Sequence, residues 1–446
     1  MKIKNSKLKI QNTTAYPLHI ICSFWMTLCR LHSKKSKIKP ALVLFWLILL
    51  GGCMQKRFVR STPQMDAEPR FWVRVLLLDN AKDCTLTIRS SFTVTDAQTE
   101  TLAAHFGRTN APASVSISAA KITIDGQSFA GDEIIISPDD PYIFNLNGDD
   151  YRGRLKLILD SDGSSFDAVN LVPLEPYLAG VVGAEMPYYW EPAALQAQAI
   201  AARTYCLYIK RRFGSRRSWD LRRTQANQVY LGISAESPQI WNAVNQTRGQ
   251  VLVCKQPDGT EDIFPTYYSS ICGGHTENSS NVFGDSFGPL TGVRCPYCID
   301  VAKPAFFFWP MARFDKDYVT DKLVQNYPKL KLLGEIVKIT PTKQSAYENG
   351  KFSRLTSIKL TGSTGKSDFV RAEDFRLTID PTGNKLKSTI CQIVNKDDKW
   401  EFLFGRGYGH GVGMCQCGAQ AMAREGKNAR EIILYYYPGS KIVSVY

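Results

Sequence analysis

Histidine is scarce in this chain, with five in 446 residues. His19 and His32 lie near the N-terminus and His105 in a strand-patterned stretch, so any central histidine chemistry rests on His275 and His410. Acidic residues are missing altogether from residues 1–52, which hold nine Lys/Arg. That stretch accounts for most of the net charge of +14; the remainder carries 46 basic against 41 acidic residues, or +5, too mild to indicate a nucleic-acid partner. No apolar run is long enough to span a bilayer comfortably, the longest being the ten residues Ala41–Leu50. The glycine-rich stretch 405–413 is followed by no Gly-Lys-Ser/Thr at the start of the next helix, so it is not a phosphate loop. No short repeat or low-complexity tract suggests a solenoid or tether array.

What is present begins with a leader. Lys34, Lys35, Lys37 and Lys39 precede Ala41–Leu50 and then Gly51-Gly52-Cys53, the order of an export signal. Leu50-Gly-Gly-Cys53 resembles a bacterial lipobox, with Cys53 as the lipidated residue; an uncleaved anchor is the alternative. Met26 would start a signal of ordinary length. Either way the rest is expected outside the cytoplasm, in the cell envelope and tethered to a membrane. Nine cysteines follow Cys53 (84, 206, 254, 272, 295, 298, 391, 415 and 417), so an oxidising compartment permits disulfides but leaves at least one thiol over.

The expected organisation is leader 1–52, linker 53–70, β-rich domain 71–160, core 161–300, inserted subdomain 301–400 and a return to the core at 401–446. The fold class is α+β: a small β-rich N-terminal domain, then a mixed core with an inserted α+β subdomain. Trp72-Val-Arg-Val-Leu-Leu-Leu, Glu133-Ile-Ile-Ile and Arg154-Leu-Lys-Leu-Ile-Leu have strand character, and Asp125-Gly126 and Asp162-Gly163 mark turns. Pro192 opens a helix whose apolar stripe is Leu195, Ala199, Ala202, Cys206 and Ile209, with Gln196, Gln198, Arg203 and Thr204 on the other faces. Near the C-terminus, helices are expected from Ala419 to Glu425 and, capped by Asn428, from Ala429 to Tyr436.

Three stretches carry chemistry. Glu185 sits among valine, methionine, proline and aromatics just before the Pro192 helix; a desolvated carboxyl has a raised pKa and suits a proton donor near neutral pH, whereas a solvated or capping glutamate does not. Gly405-Arg-Gly-Tyr-Gly-His-Gly-Val-Gly413 alternates glycine and lets another chain approach its backbone closely. Cys272-x2-His275 and Cys295-x2-Cys298 form two close-spaced pairs, a framework either for structural Zn²⁺ on Cys272, His275, Cys295 and Cys298 or for one or two disulfides. Cys295-Pro-Tyr-Cys298 lacks the strand-then-helix setting of a dithiol redox motif.

Together these residues resemble the SpoIID/LytB family, stage II sporulation protein D and the amidase enhancer. The resemblance runs through Val169-Asn-Leu-Val-Pro-Leu-Glu-Pro-Tyr-Leu-Ala-Gly-Val-Val-Gly-Ala-Glu-Met-Pro187, Ala197-Gln-Ala-Ile-Ala-Ala-Arg-Thr-Tyr205, Gln228-Val-Tyr-Leu-Gly232, Tyr268-Ser-Ser270 with Gly273-Gly-His-Thr-Glu277, and the glycine strip through Tyr435-Tyr-Tyr-Pro-Gly439. It implies peptidoglycan glycan strands as substrate and a lytic transglycosylase with Glu185 as its single catalytic acid/base. Gln198, Arg203, Tyr230, Ser269, Ser270, His275 and His410 are the implied sugar contacts, and no cofactor is needed for catalysis. The alternative is a non-catalytic enhancer that binds peptidoglycan and stimulates a cell-wall amidase; a bare envelope tether would bind no glycan. The chain departs from the pattern at Thr224-Gln-Ala-Asn227, where some members carry a His-Cys metal pair, and at Cys415 and Cys417, where relatives often have Ser and Trp.

Overall fold

The computed structural model describes residues 71–108 and 110–446. Cys53, Met26, the expected leader and the linker lie outside the described residues. Among those described, no helix is long and apolar enough to cross a membrane.

The fold is α+β. A seven-stranded sheet has the spatial order Leu221–Arg222, Trp72–Ala81, Phe166–Pro173, Arg154–Leu159, Glu133–Pro138, Phe92–Asp96, Leu102–Phe106. Its alternating sequence buries one face: Ile134 and Ile136 point inward from Glu133–Pro138, and Leu155 and Leu157 from its neighbour. A six-stranded sheet contributes Leu86, Val115, Ile122 and Phe144 to the same core. Asp125 and Gly126, both at positive φ (48° and 82°), turn the hairpin between Lys121–Ile124 and Gln127–Ser128.

Phe166–Pro173 is paired along its length with Trp72–Ala81 and runs without a loop into helix α1 (Leu174–Glu185). α2 (Pro192–Phe213) starts at the expected proline and ends in Lys210-Arg211-Arg212, cations that suit the negative C-terminal pole. α3 (Pro238–Gln246) and the strand Gln250–Lys255 pack beside α2. α4 (Lys316–Asn326) and α5 (Ala372–Ile379) belong to a second hydrophobic core, built from Trp309, Phe314, Leu323, Leu360, Phe375, Trp400 and their neighbours between residues 309 and 402. The chain then returns to the first core in α6 (Gln416–Arg424) and α7 (Ala429–Tyr436), the latter opened by a reciprocal Asn428–Glu431 capping box.

α2 is not the amphipathic surface helix that its pattern suggests. Besides the apolar stripe, Gln198, Arg203 and Thr204 are fully buried, because α1, α3, α6, α7 and Gln250–Lys255 surround the helix. Arg203 makes a forked pair with Glu175 of α1 (Nε to Oε1 3.0 Å, Nη2 to Oε2 2.7 Å) and donates to the Gln250 carbonyl at 3.2 Å. Tyr446 also donates its hydroxyl to Glu175. One guanidinium therefore ties two helices and a strand together. Arg203→Leu should destabilise the protein by about 3–5 kcal/mol in urea unfolding, because it strands a buried carboxylate, and Glu175→Leu in the same chain should recover much of the loss.

Candidate active site

Glu185 owes its position to the way α1 ends. Pro187 disfavours a helical Met186, which is extended (φ −133°, ψ 142°), so α1 stops at Glu185. The carboxyl lines a cavity of about 480 Å³ together with Tyr205, Tyr268, Ser269, Ser270, Tyr408, His410 and Gln416 from the core and Glu373 and Arg376 from α5. Protein packs closely around Glu185, leaving part of its surface open onto the cavity. Two donors reach it: the Val229 amide to Oε1 at 3.1 Å and the Gln416 side-chain amide to Oε2 at 3.3 Å. Burial raises its pKa above the ordinary carboxyl value, and these two hydrogen bonds offset only part of the rise. The negative end of α1 acts in the same direction as burial.

The Gln228-Val-Tyr-Leu-Gly232 stretch builds the floor beneath the acid. Gln228 accepts from the Tyr177 hydroxyl at 3.0 Å and donates to the Tyr268 hydroxyl at 2.9 Å, which presents the next residue's amide to Glu185. Tyr230 is buried and donates to Asn170 at 2.9 Å.

The glycine strip is threaded between the core and the second lobe. Gly413 (φ 71°) has no room for a side chain, since a Cβ there would lie 1.9 Å from the Tyr267 carbonyl oxygen. A Cβ on Gly411 would lie 2.5 Å from the guanidinium of Arg354, which is buried and donates to the Cys272 carbonyl at 2.9 Å. Just before Gly411, His410 accepts the Val412 amide on Nδ1 at 3.0 Å, which puts any neutral-ring proton on Nε2. Burial pushes its pKa down to about 4, despite the opposing charge of Glu373, so it is a neutral ring at neutral pH.

The second carboxyl of the cavity is in a different state. Glu373 accepts from Arg376 on both oxygens (2.6 and 2.9 Å), and although burial opposes it, the guanidinium holds the carboxyl below its usual range.

Of the residues expected from sequence, Glu185, Ser269, Ser270 and His410 meet at the cavity. Ser269 Oγ is buried without a partner among the described residues. Gln198, Arg203 and Tyr230 do not line the cavity; Gln198 and Arg203 are buried on α2, and Tyr230 is buried against Tyr151 and Tyr177. His275 is also outside the lining: it stacks on Tyr347 (centroids 4.3 Å apart) with Nδ1 2.7 Å from the Thr276 carbonyl. The cysteine grouping differs too. Cys272, Cys295 and Cys298 gather with Cys415, and His275 is not among the four. Sequence reading missed Gln416, Tyr268, Glu373 and Arg376; Tyr268 and Gln416 stood within stretches already singled out, and Glu373 and Arg376 did not.

Residues 162–254, which include Glu185, match the family model for "Stage II sporulation protein". The stage II sporulation protein D of Bacillus subtilis is 30% identical over 294 residues, 62% of this chain and 76% of that protein. The chain belongs to the SpoIID family. An uncharacterized protein of Brachyspira hyodysenteriae is 33% identical over 303 residues, 67% of this chain and 74% of that relative. The amidase enhancer of Bacillus subtilis is 27% identical over 367 residues, 74% of this chain, which spans 50% of that relative's length. The matched segment supplies the acid and its floor, while the strip and α5 lie beyond it.

A raised pKa has a consequence for stability. The folded state holds the Glu185 proton more tightly than the unfolded chain, so this carboxyl's contribution is fully present below its unfolded pKa and is lost as pH rises through its folded one. Glu185→Gln cannot ionise. It should melt at a higher temperature than the parent at about pH 8, and the difference should close below about pH 4, where both side chains are neutral. Parallel melting curves at the two pH values would show a carboxyl that is well solvated.

Proposed function

We propose that this chain is a lytic transglycosylase of peptidoglycan, with Glu185 as the single acid/base. The observation that carries this reading is one desolvated carboxyl open to a cavity whose other carboxylate is fully engaged by a guanidinium. Glu185 gives its proton to the glycosidic oxygen as the bond from that oxygen to the muramyl C1 breaks. The C6 hydroxyl of the same sugar attacks C1, and its proton returns to Glu185, leaving a 1,6-anhydro end. Water takes no part, so no second carboxylate is needed to activate it. The Val229 amide and Gln416 stabilise the anion that Glu185 becomes between the two transfers. Gln416 can serve both states by turning its amide: NH₂ to the carboxylate, carbonyl to the acid. The expected location is the cell envelope, with glycan strands as partner and the membrane engaged through the N-terminal segment.

A second reading is favoured by the likeness to the amidase enhancer, which extends over more of this chain than the likeness to the sporulation protein. There the same groove binds glycan and the chain stimulates a cell-wall amidase without cleaving. Tyr188 and Tyr189, 55% and 73% exposed just beyond Glu185, offer aromatic faces to sugars under either reading.

Purified protein incubated alone with defined glycan strands separates the two by mass spectrometry. Anhydro-muramyl products are expected from the wild type and none from folded Glu185→Gln; equal yield from both removes Glu185 from the reaction, and no product from either favours the enhancer. The kcat/KM profile should fall on its alkaline side as Glu185 loses its proton. Gln416→Leu should lower kcat by about 10- to 100-fold, the worth of one hydrogen bond to a charged group. It should also move the alkaline limb upward, because a donor that favours the anion is gone.

A further inference from the structure

We infer that Cys272, Cys295, Cys298 and Cys415 form a closed zinc site that clamps together the two chain segments carrying Ser270 and Gln416. The four Sγ atoms lie within 4.8 Å of one another, and all four residues are buried. Cys272 and Cys298 have their sulfurs 3.7 Å apart. A tetrahedron of thiolates at a Zn–S distance of about 2.3 Å has edges of about 3.8 Å. A disulfide would need about 2.05 Å. All nine cysteines among the described residues are thiols.

The surroundings match a thiolate cage. The Cys272 amide donates to Cys415 Sγ at 3.2 Å, and the Tyr436 hydroxyl lies 3.2 Å from Cys295 Sγ, so sulfurs that would carry negative charge have donors outside the cage. Gly418 keeps this corner clear: a Cβ there would lie 2.7 Å from Cys295 Sγ and 2.0 Å from the Tyr436 oxygen. Four buried thiolates at this spacing suit a tetrahedral zinc, which they would close with no open position, so the site is structural rather than catalytic; iron is the other metal such a set could take.

Its placement ties it to the acid. Tyr268–Ser269 pairs in parallel with Met414–Cys415, and the next residues on either side are Ser270 and Gln416. Cys415 is the N-cap of α6, whose first residue donates to Glu185. A metal bound to Cys272 and Cys415 fixes both walls of the cavity beside the carboxyl. The metal's presence does not depend on the transglycosylase reading; only this consequence does.

Metal analysis of the full chain, purified without chelator, tests the assignment. One zinc per chain is expected, retained by His275→Ala and Cys417→Ser and lost from Cys415→Ser and Cys298→Ser. Should those two variants fail to fold, Co²⁺ substitution of the wild type decides, through the ligand-to-metal bands of a four-thiolate tetrahedron. Chelation should lower Tm, and Zn²⁺ but not Mg²⁺ should restore it. Metal-free protein with four alkylatable thiols, a mapped disulfide among the four, iron in place of zinc, or loss of metal from folded His275→Ala would each overturn the site.

Discussion

The proposed role of Glu185 sets two opposing requirements: its carboxyl has to be short of water to keep a proton, and a ligand has to reach it. The chain meets the first with rigid surroundings. α1 grows directly out of a paired strand, is buried for most of its length, and is stopped by Met186-Pro187 at the residue that carries the acid. It meets the second by leaving the carboxyl open to a cavity whose lining includes Ser269, Ser270, Gln416 and part of the glycine strip. A solvated glutamate would have been easier to build and more stable, but it would be an anion at neutral pH.

The second hydrophobic core takes part in this arrangement. α5 supplies Glu373 and Arg376 to the cavity wall, and Arg354 reaches from the same lobe to the Cys272 carbonyl through the space that Gly411 leaves empty. Glu277 accepts from Ser345 at 3.1 Å and from Tyr347 at 2.5 Å, a second anchor between the lobe and the core. The strip thus serves as the seam between the two hydrophobic cores, and its glycines admit core backbone at Gly407 and Gly413 and the lobe's Trp309 and Arg354 side chains at Gly405 and Gly411.

Features with a local cause were legible in the sequence. The helix start at Pro192, the turn at Asp125-Gly126, the cap at Asn428 and the apolar neighbourhood of Glu185 each depend on residues a few positions apart. Features decided by distant partners were not. Arg203 resembled a substrate contact until Glu175 and the Gln250 carbonyl, brought in by folding, claimed its guanidinium. Cys415 lies 143 residues from Cys272, so no ligand-spacing pattern could include it, whereas His275 fitted the spacing while its ring stacks on Tyr347. The α5 residues of the cavity belong to a lobe whose sequence carries no motif, and only its docking onto the strip brings them there.

Burial acts on both glutamates of the cavity, and the difference between them lies in the company each keeps. Glu373 has a guanidinium on both oxygens, which holds its pKa below the usual range; Glu185 has two neutral donors and no cation among its hydrogen-bond partners, so burial raises its pKa. Two carboxyls pushed apart in this way can look like the acid and base of a hydrolase. Yet a general base needs proton affinity, and the Arg376 guanidinium holds the Glu373 carboxyl below its usual range, which makes it a weak base for water. In the proposed reaction the nucleophile is therefore most economically a hydroxyl of the substrate itself, delivered by the sugar's own ring, with Glu185 as both the source and the destination of the proton.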